Sequence, residues 1–198
     1  MAQHSDDPRP PASGNRQGRA TRLRLERAAL ERFAEHGIEA TTVDDIVERA
    51  GTSIRTFFYH FATKHDVVTS NISDDISRFS RLLFARHELE PVDALLAAIE
   101  ADTAELELDD VALLRWEVVA REPAVGAVAT ELREQLRAVL LAWVASRTAR
   151  DIDSIEVRSI AAALVAVRNE VIDEWARHRG DVDVAALARA GLSAVRIR

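Results

Sequence analysis

The stretch TVDDIVERAGTSIRTFFYHF, from Thr42 to Phe61, decides the fold of this chain. The hydroxyl of Thr42 and the carboxylate of Asp45 have capping-box spacing, which satisfies free amides at a helix N-terminus. Gly51 then supplies the left-handed backbone that a tight turn requires, and a second short helix follows from Ser53. A helix, a three-residue turn and a short helix together form the helix-turn-helix arrangement.

The rest of the chain from residue 21 onward carries apolar residues at three- and four-residue spacing, the periodicity of amphipathic helices. Thr63 and Asp66 form a second pair with capping-box spacing and mark another helix start. Pro91 and Pro123 stand where first helical turns are expected. The predicted helices cover residues 20–36, 42–50, 53–59, 63–87, 91–105, 109–121, 123–149, 153–179 and 183–197. The sequence therefore predicts an all-α fold of about nine helices.

The N-terminal segment differs from the rest of the chain. Residues 1–18 hold three of the five prolines and almost no apolar side chain, so we expect a disordered tail. Its Arg9 and Arg16, with Arg19 just after, leave two alternatives open: a solvated tail, or a basic arm that contacts DNA. The predicted domains are the tail at 1–18, a three-helix domain with the helix-turn-helix at 19–65, and a larger helical domain at 66–198.

Composition narrows the class of protein. The chain has no cysteine, which excludes disulfides and thiolate metal sites. No apolar run approaches the roughly 20 residues that span a bilayer, and the N-terminus lacks a signal-peptide core, so we expect a cytoplasmic protein with no membrane contact. The net charge of −7 is unevenly distributed: residues 1–65 carry 10 basic and 9 acidic residues, whereas residues 66–198 carry 16 and 24. This asymmetry permits DNA binding by the first part.

The second helix of a helix-turn-helix lies in the major groove with its N-terminal residues toward the base edges. Arg55 is therefore the best candidate for base reading, because a guanidinium donates two hydrogen bonds to guanine. Ile54 and Thr56 are expected to pack on a thymine methyl, and the flanking polar groups to contact phosphates. The predicted DNA-binding residues are Thr42, Ser53, Ile54, Arg55, Thr56, Tyr59, His60 and Lys64.

The segment AALERFAEHGIEATTVDDIVERAGTSIRTFFYHFATKHDVV, residues 28–68, resembles the N-terminal domain of the TetR family of regulators. The residues on the family pattern are Phe33, Gly37, Thr41, Thr42, Val43, Ile46, Ala50, Gly51, Ser53, Thr56, His60, Phe61 and Lys64. The resemblance implies a homodimeric repressor that binds a palindromic operator in double-stranded DNA and carries a helical domain for a small-molecule effector. The chain departs from the family at Phe58, where a tyrosine is usual, and at Arg55, where a small residue is usual.

The larger domain has no sharp motif. The resemblance implies that its last two helices pair with their symmetry mates, so residues 155–197 are the expected dimer interface. Polar and aromatic residues within the apolar stripes are the candidates for effector binding. These residues are Arg115, Trp116, Trp143, Arg168, Asn169 and Trp175. The alternative is that the arginines lie on a solvated face or form internal ion pairs with Glu117 and Glu170. The segment 113–123 is similar to the mycofactocin-system regulator, which implies an acyl-CoA or another hydrophobic molecule as the effector.

Two other functions, an enzyme and an effector-independent DNA-binding protein, would require different sequence features. An enzyme would need a convergent reactive set, and the sequence offers no catalytic residues, no phosphate-binding glycine loop and no cofactor motif. His60, His65 and Asp66 match no established metal spacing, and Asp66 is better explained as a helix cap. The remaining alternative is an effector-independent DNA-binding protein whose C-terminal dimerisation domain is solidly filled.

Overall fold

The computed structural model describes residues 13–69, 71–121 and 126–195, and within them the regular elements are helices. The helices are α1 (Ser13–His36), α2 (Val43–Ala50), α3 (Ile54–His60), α4 (His65–Thr69), α5 (Ile72–Phe84), α6 (Pro91–Glu107), α7 (Asp110–Arg121), α8 (Gly126–Thr148), α9 (Ile155–Arg177) and α10 (Val184–Val195). The predicted all-α fold is confirmed. The fourth predicted helix consists of two segments, α4 and α5, which accounts for ten segments where about nine helices were predicted.

The start of α1 corrects one boundary. The helix begins at Ser13, so residues 13–18, which the sequence predicts to be part of the tail, are helical. The prolines end at Pro11, and adding residues to an existing helix costs far less than nucleating a new one. Residues 1–12, with Arg9, lie outside the described part of the chain, as do the last residues of the predicted dimer interface.

Local signals end and begin the helices where the sequence indicated. Both capping boxes are confirmed: at the second, the Thr63 amide donates to Asp66 Oδ2 over 2.8 Å, and the Asp66 amide donates to Thr63 Oγ1 over 3.3 Å. Gly51 has φ +61° and Gly180 has φ +85°, a backbone region that costs glycine little and other residues more. Pro91 opens α6, where its missing amide hydrogen is not needed.

A first hydrophobic core joins α1 to α4 and extends into α7. Leu25 and Phe33 of α1 are fully or almost fully buried against Ile46 of α2 and Phe57 of α3. Val118 of α7 belongs to the same cluster, so α7 packs on α1 as well as on its neighbours in the larger part. The helix-turn-helix is therefore not an independent unit, because its core is completed by a helix more than fifty residues further along the chain.

A second core fills the space among α5 to α10. Its largest members include Phe79, Trp143 and Trp175, which are at most 4 % exposed. Helices α8 and α10 pack on α9, and α10 also contacts α6. In the described residues no helix is both long and apolar enough to cross a membrane.

Candidate nucleic-acid interface

Helix α2 is held at both ends. The Asp45 carboxylate accepts from the Thr42 hydroxyl over 2.6 Å and from the Thr42 amide over 2.9 Å, and these hydrogen bonds hold the pKa of Asp45 below its usual value. At the other end Arg49 donates to Glu31 of α1 over 2.6 Å. Gly51 then ends the helix in the left-handed conformation. These contacts fix α2 on α1 and leave the Thr42 side chain exposed at the start of the motif.

Helix α3 is anchored by one face and presents the other to solvent. Ser53 caps it, accepting from the Thr56 amide over 3.2 Å, and the hydroxyls of the two residues lie 2.8 Å apart. Phe57 is fully buried and packs on Phe61 with 5.6 Å between ring centroids. The seven-residue helix gains its stability from this packing rather than from its length, because isolated helices of this size are marginal in water.

The exposed face of α3 carries Ile54, Arg55, Phe58 and Tyr59. Three of them are large hydrophobic side chains, exposed by 44 % at Ile54, 54 % at Phe58 and 83 % at Tyr59. Arg55 is exposed too and has no ion-pair partner among the described residues. An exposed cluster of apolar and aromatic residues around an unpaired guanidinium indicates a surface that meets a partner. Phe58 was missing from the predicted DNA-binding set, although its position one turn after Ile54 was a signal for it.

The C-terminal end of α3 is tied to α1 by Arg22, a residue that the sequence prediction did not single out. Its Nη1 donates to the His60 carbonyl over 3.0 Å, and its guanidinium lies 4.5 Å from the centroid of the Phe61 ring. Partial burial, with a smaller effect from the Arg22 charge, lowers the pKa of His60. His60, which is in edge contact with Tyr59 at 5.0 Å, therefore presents a neutral ring at this end at neutral pH.

Lys64 differs in setting from the other predicted phosphate contacts. Its ammonium donates to the carbonyl of Glu39 over 3.1 Å and to that of Thr41 over 3.2 Å. The side chain is mostly buried and holds the loop between α1 and α2. A phosphate contact by Lys64 stays a prediction, and the structure adds a loop-holding role that the sequence did not reveal.

The candidate effector residues lie on three helices. Arg115 and Trp116 belong to α7, Trp143 to α8, and the other three to α9. The polar groups that are satisfied have partners inside the protein: Trp175 Nε1 donates to Glu107 over 3.0 Å. Arg115 and Arg168 also have ion-pair partners, although the Nε of each has no hydrogen-bond partner, and an effector role for Arg115, Arg168 and Trp175 stays a prediction.

Arg115 and Arg168 belong to a buried series of side chains whose charges alternate in sign. Arg115 is bonded to Glu26 of α1 and lies 3.6 Å from Asp75 of α5. Arg78 bridges Asp75 and Asp102 of α6 at 2.8 and 2.9 Å. At the far end Arg168 of α9 donates to Asp102 over 2.8 Å and lies over the Phe79 ring. This charge network is defined by Glu26, Arg115, Asp75, Arg78, Asp102 and Arg168.

The charge network agrees in kind with the alternative that the arginines form internal ion pairs. Internal ion pairs are present, but with Glu26, Asp75 and Asp102 instead of the predicted Glu117 and Glu170. Glu117 is paired with Arg121 at 2.9 Å and Arg179 at 3.0 Å. Burial raises the pKa of Asp75, and the nearby charges of Arg115 and Arg78 oppose that rise.

The other three candidates for effector binding are Trp116, Trp143 and Asn169, which lie outside the charge network. Trp116 is almost fully buried, yet its indole N–H has no hydrogen-bond partner. Buried donors of this kind are uncommon and call for an explanation such as a bound ligand or water. Trp143 lines an apolar cavity of about 210 Å³ with Leu95 and Leu164. Asn169 is half-buried on α9.

Two family profiles match the chain. "Bacterial regulatory proteins, tetR family" matches residues 26–70, and "MftR C-terminal domain" matches residues 89–198. The HTH-type transcriptional regulator TcmR of Streptomyces glaucescens is 36 % identical over 95 % of this chain and 87 % of its own length. The HTH-type transcriptional repressor KstR2 of Rhodococcus jostii is 31 % identical over 94 % of both chains.

Solved structures agree on the fold. NalD, the secondary repressor of the MexAB-OprM multidrug efflux pump in Pseudomonas aeruginosa, superposes with a TM-score of 0.68 at 16 % identity, covering 90 % of this chain and 95 % of NalD. FadR of Bacillus subtilis in complex with stearoyl-CoA gives a TM-score of 0.63 at 18 % identity, covering 86 % and 95 %. The exposed α3 of a helix-turn-helix, the profiles and the relatives lead to one assignment. The chain belongs to the TetR family and is a DNA-binding transcription regulator with an MftR-type C-terminal domain, not an enzyme.

Proposed function

We propose that the chain is a ligand-responsive repressor that binds a palindromic operator as a homodimer. In this proposal residues 19–65 contact DNA, and residues 66–198 bind the effector and form the dimer. Such a protein acts in the bacterial cytoplasm, at the DNA that it regulates. The observation that carries the proposal is the exposed face of α3, where an unpaired Arg55 stands among exposed Ile54, Phe58 and Tyr59.

Arg55 is proposed to read a guanine in the major groove through two hydrogen bonds. Ile54 and Phe58 flank it on the same face and favour contact with thymine methyl groups. Thr42, Tyr59 and the α2 N-terminus would bind phosphates and set the register of α3 in the groove.

Dimerisation is proposed through α9 and α10. Ile155 is 68 % exposed, and Ile160 and Val195 are each more than 40 % exposed on these two helices. Grooves of about 560 and 410 Å³ run beside them and are lined mainly by apolar residues. Such contiguous apolar surface is unusual on a monomer and favours burial against a second copy. The two-fold symmetry of such a dimer predicts a palindromic operator whose half-sites are separated by about one DNA turn, roughly 34 to 36 Å, or more.

The effector is proposed to be an acyl-CoA. The MftR-type profile covers the domain concerned, and B. subtilis FadR, which has the same fold, was solved with stearoyl-CoA. Within this chain the indole N–H of Trp116 is buried without a hydrogen-bond partner and is proposed to donate to a ligand acceptor. Release would follow from differential affinity, because an acyl-CoA that binds better to a conformation with altered α3 spacing weakens operator binding. The factor by which the acyl-CoA weakens operator binding equals the factor by which the operator weakens acyl-CoA binding.

Selection of bound duplexes from a random DNA pool tests the operator proposal. We expect a palindromic site, and we expect Arg55→Ala to lose preference at one base per half-site, about 1 to 3 kcal/mol. Arg81→Ala removes an exposed arginine of α5 and serves as the matched control. If Arg55→Ala selects the same site with the same affinity, the assignment of Arg55 is wrong.

Titration of the operator complex with acyl-CoAs of increasing chain length tests whether an acyl-CoA is the effector. A regulator releases the duplex at a defined chain length, and Trp116→Phe, which lacks the indole N–H, should need more ligand for release. A solidly filled, effector-independent protein keeps the duplex at every chain length. That result would remove acyl-CoA from the proposal and leave DNA binding intact.

A further inference from the structure

The first turns of α1 extend beyond the core of the protein. From residue 16 onward, where burial is described, Leu25 is the first fully buried residue of this helix, and residues 13–24 precede it. Twelve helical residues rise by about 18 Å. Arg16, Arg19 and Arg24 in this segment are exposed. We call residues 13–24 the α1 extension.

The α1 extension is strongly basic in an acidic protein. It contains four arginines, at positions 16, 19, 22 and 24, and no aspartate or glutamate, whereas the whole chain has a net charge of −7. Among the described residues, no carboxylate forms an ion pair with Arg16, Arg19 or Arg24. The first turn of α1 also has no acidic residue, so the positive end of the helix dipole is not compensated from within. Both features favour an anionic partner.

The position of the α1 extension identifies that partner. Arg22 links it to the end of α3 through its bond to the His60 carbonyl. A groove of about 680 Å³ lies between them and is lined by Arg19, Tyr59 and His60 among others. Tyr59 and His60 stand at the end of α3 that is proposed to face the phosphate backbone. The extension therefore leaves the core beside the surface that is proposed to contact DNA.

We propose that the α1 extension binds the phosphate backbone of the DNA that flanks each half-site, through Arg16 and Arg19. This inference rests on the proposed DNA-binding function and adds a second contact to it. The contact is with phosphates, so it increases affinity for any flanking sequence without changing which bases α3 prefers. Each protomer therefore contacts a longer stretch of DNA than the helix-turn-helix alone would contact.

The test compares the full-length protein with its Arg16→Gln/Arg19→Gln variant on the selected operator. Removing one phosphate-binding charge reduces the slope of log K against log salt by about 0.9, because one counterion fewer is released. We expect a reduction of nearly 2 per protomer. We also expect trimming of the flanks to 2 base pairs to weaken the wild type but not the variant. The variant should select the same consensus and unfold at the same temperature, because both side chains are exposed.

Arg81→Gln/Arg137→Gln is the matched control, because it removes the same charge from an exposed site on α5 and a partly exposed site on α8. We expect it to keep both the salt slope and the dependence on flanks. An unchanged slope and flank dependence in Arg16→Gln/Arg19→Gln would overturn the inference while leaving operator binding in place. If the wild type selects no duplex at all, the proposed function itself fails, which is a different result.

Discussion

Replacement of Arg115 by methionine tests the charge network at one of its buried ion pairs. The Arg115 side chain is 3 % exposed, bonded to Glu26, and 3.6 Å from Asp75. Methionine fills similar space without a charge. Asp75 keeps Arg78 at 2.8 Å, so the group left without a counter-charge is Glu26, which retains only the Asn71 amide at 2.9 Å.

The expected loss follows from that stranded carboxylate. Removing one partner of a buried ion pair costs about 3 to 5 kcal/mol, because the other charge stays away from water. For a domain of this size, 1 kcal/mol corresponds to roughly 2 to 4 °C in Tm. We therefore expect Arg115→Met to lower Tm by about 6 to 20 °C. Adding Glu26→Gln removes the stranded charge, and we expect it to recover about 1 to 3 kcal/mol as coupling energy.

Urea unfolding followed by circular dichroism measures these differences, at one fixed protein concentration because dimerisation contributes to stability. The midpoint should move while the m-value stays constant. Arg137→Met is the matched control, since it breaks a pair with Glu134 at 3.4 Å whose partners are 37 % and 66 % exposed. Such a pair is worth about 0 to 1 kcal/mol. A loss in Arg115→Met no larger than in the control, or no recovery in the double variant, would refute the reasoning.

Three further substitutions probe the helix-turn-helix. Thr42→Ala removes the cap of α2 and should cost about 1 kcal/mol in urea unfolding, with Thr42→Ser as the control that keeps it. Lys64→Met leaves two loop carbonyls without their charged donor, and we expect a loss of about 1.5 to 3 kcal/mol; an unchanged urea midpoint would contradict the loop-holding role. The pKa of His60 is lowered in the folded state from 6.5, so the unfolded chain takes up the proton first and the wild type should lose stability as pH falls below about 6.5. Between pH 7.5 and 5.5, about one unit either side of 6.5, the Tm of His60→Gln should fall less than that of the wild type. An equal fall in both proteins would count against the lowered pKa of His60.

The helix-turn-helix was predictable because its signals are local. A hydroxyl and a carboxylate three positions apart start α2, Gly51 ends it, and Ser53 starts α3. None of these features depends on distant parts of the chain, so spacing alone is sufficient to place them. The start of α1 was missed for the same reason, because residues 13–18 have no helix signal of their own and continue a helix that is anchored further along.

The charge network could not be predicted from sequence, because its partners are far apart in the chain. Arg115 and Glu26 are separated by 89 positions, and Arg168 and Asp102 by 66. Periodicity showed that both arginines interrupt apolar stripes, which is a signal for a buried polar group. It did not show which carboxylates face them, since that depends on how five helices cross. The nearest acids in sequence, Glu117 and Glu170, were therefore the wrong choice.

The charge network also connects the two regions that a regulator must couple. Its first residue, Glu26, lies on α1 beside the helix-turn-helix core, and its last, Arg168, lies on α9 beside the proposed dimer surface. Ion pairs at 2.8 to 3.6 Å have little tolerance for separation in a buried setting, so a shift of α5 or α7 must either move α1 with it or break a pair. Packed interfaces that are displaced in this way switch between discrete arrangements and do not deform continuously. In the proposed ligand-responsive repressor, an effector bound among α6 to α9 would therefore need only a small displacement to bias the orientation of α3, because the alternative would be a stranded charge.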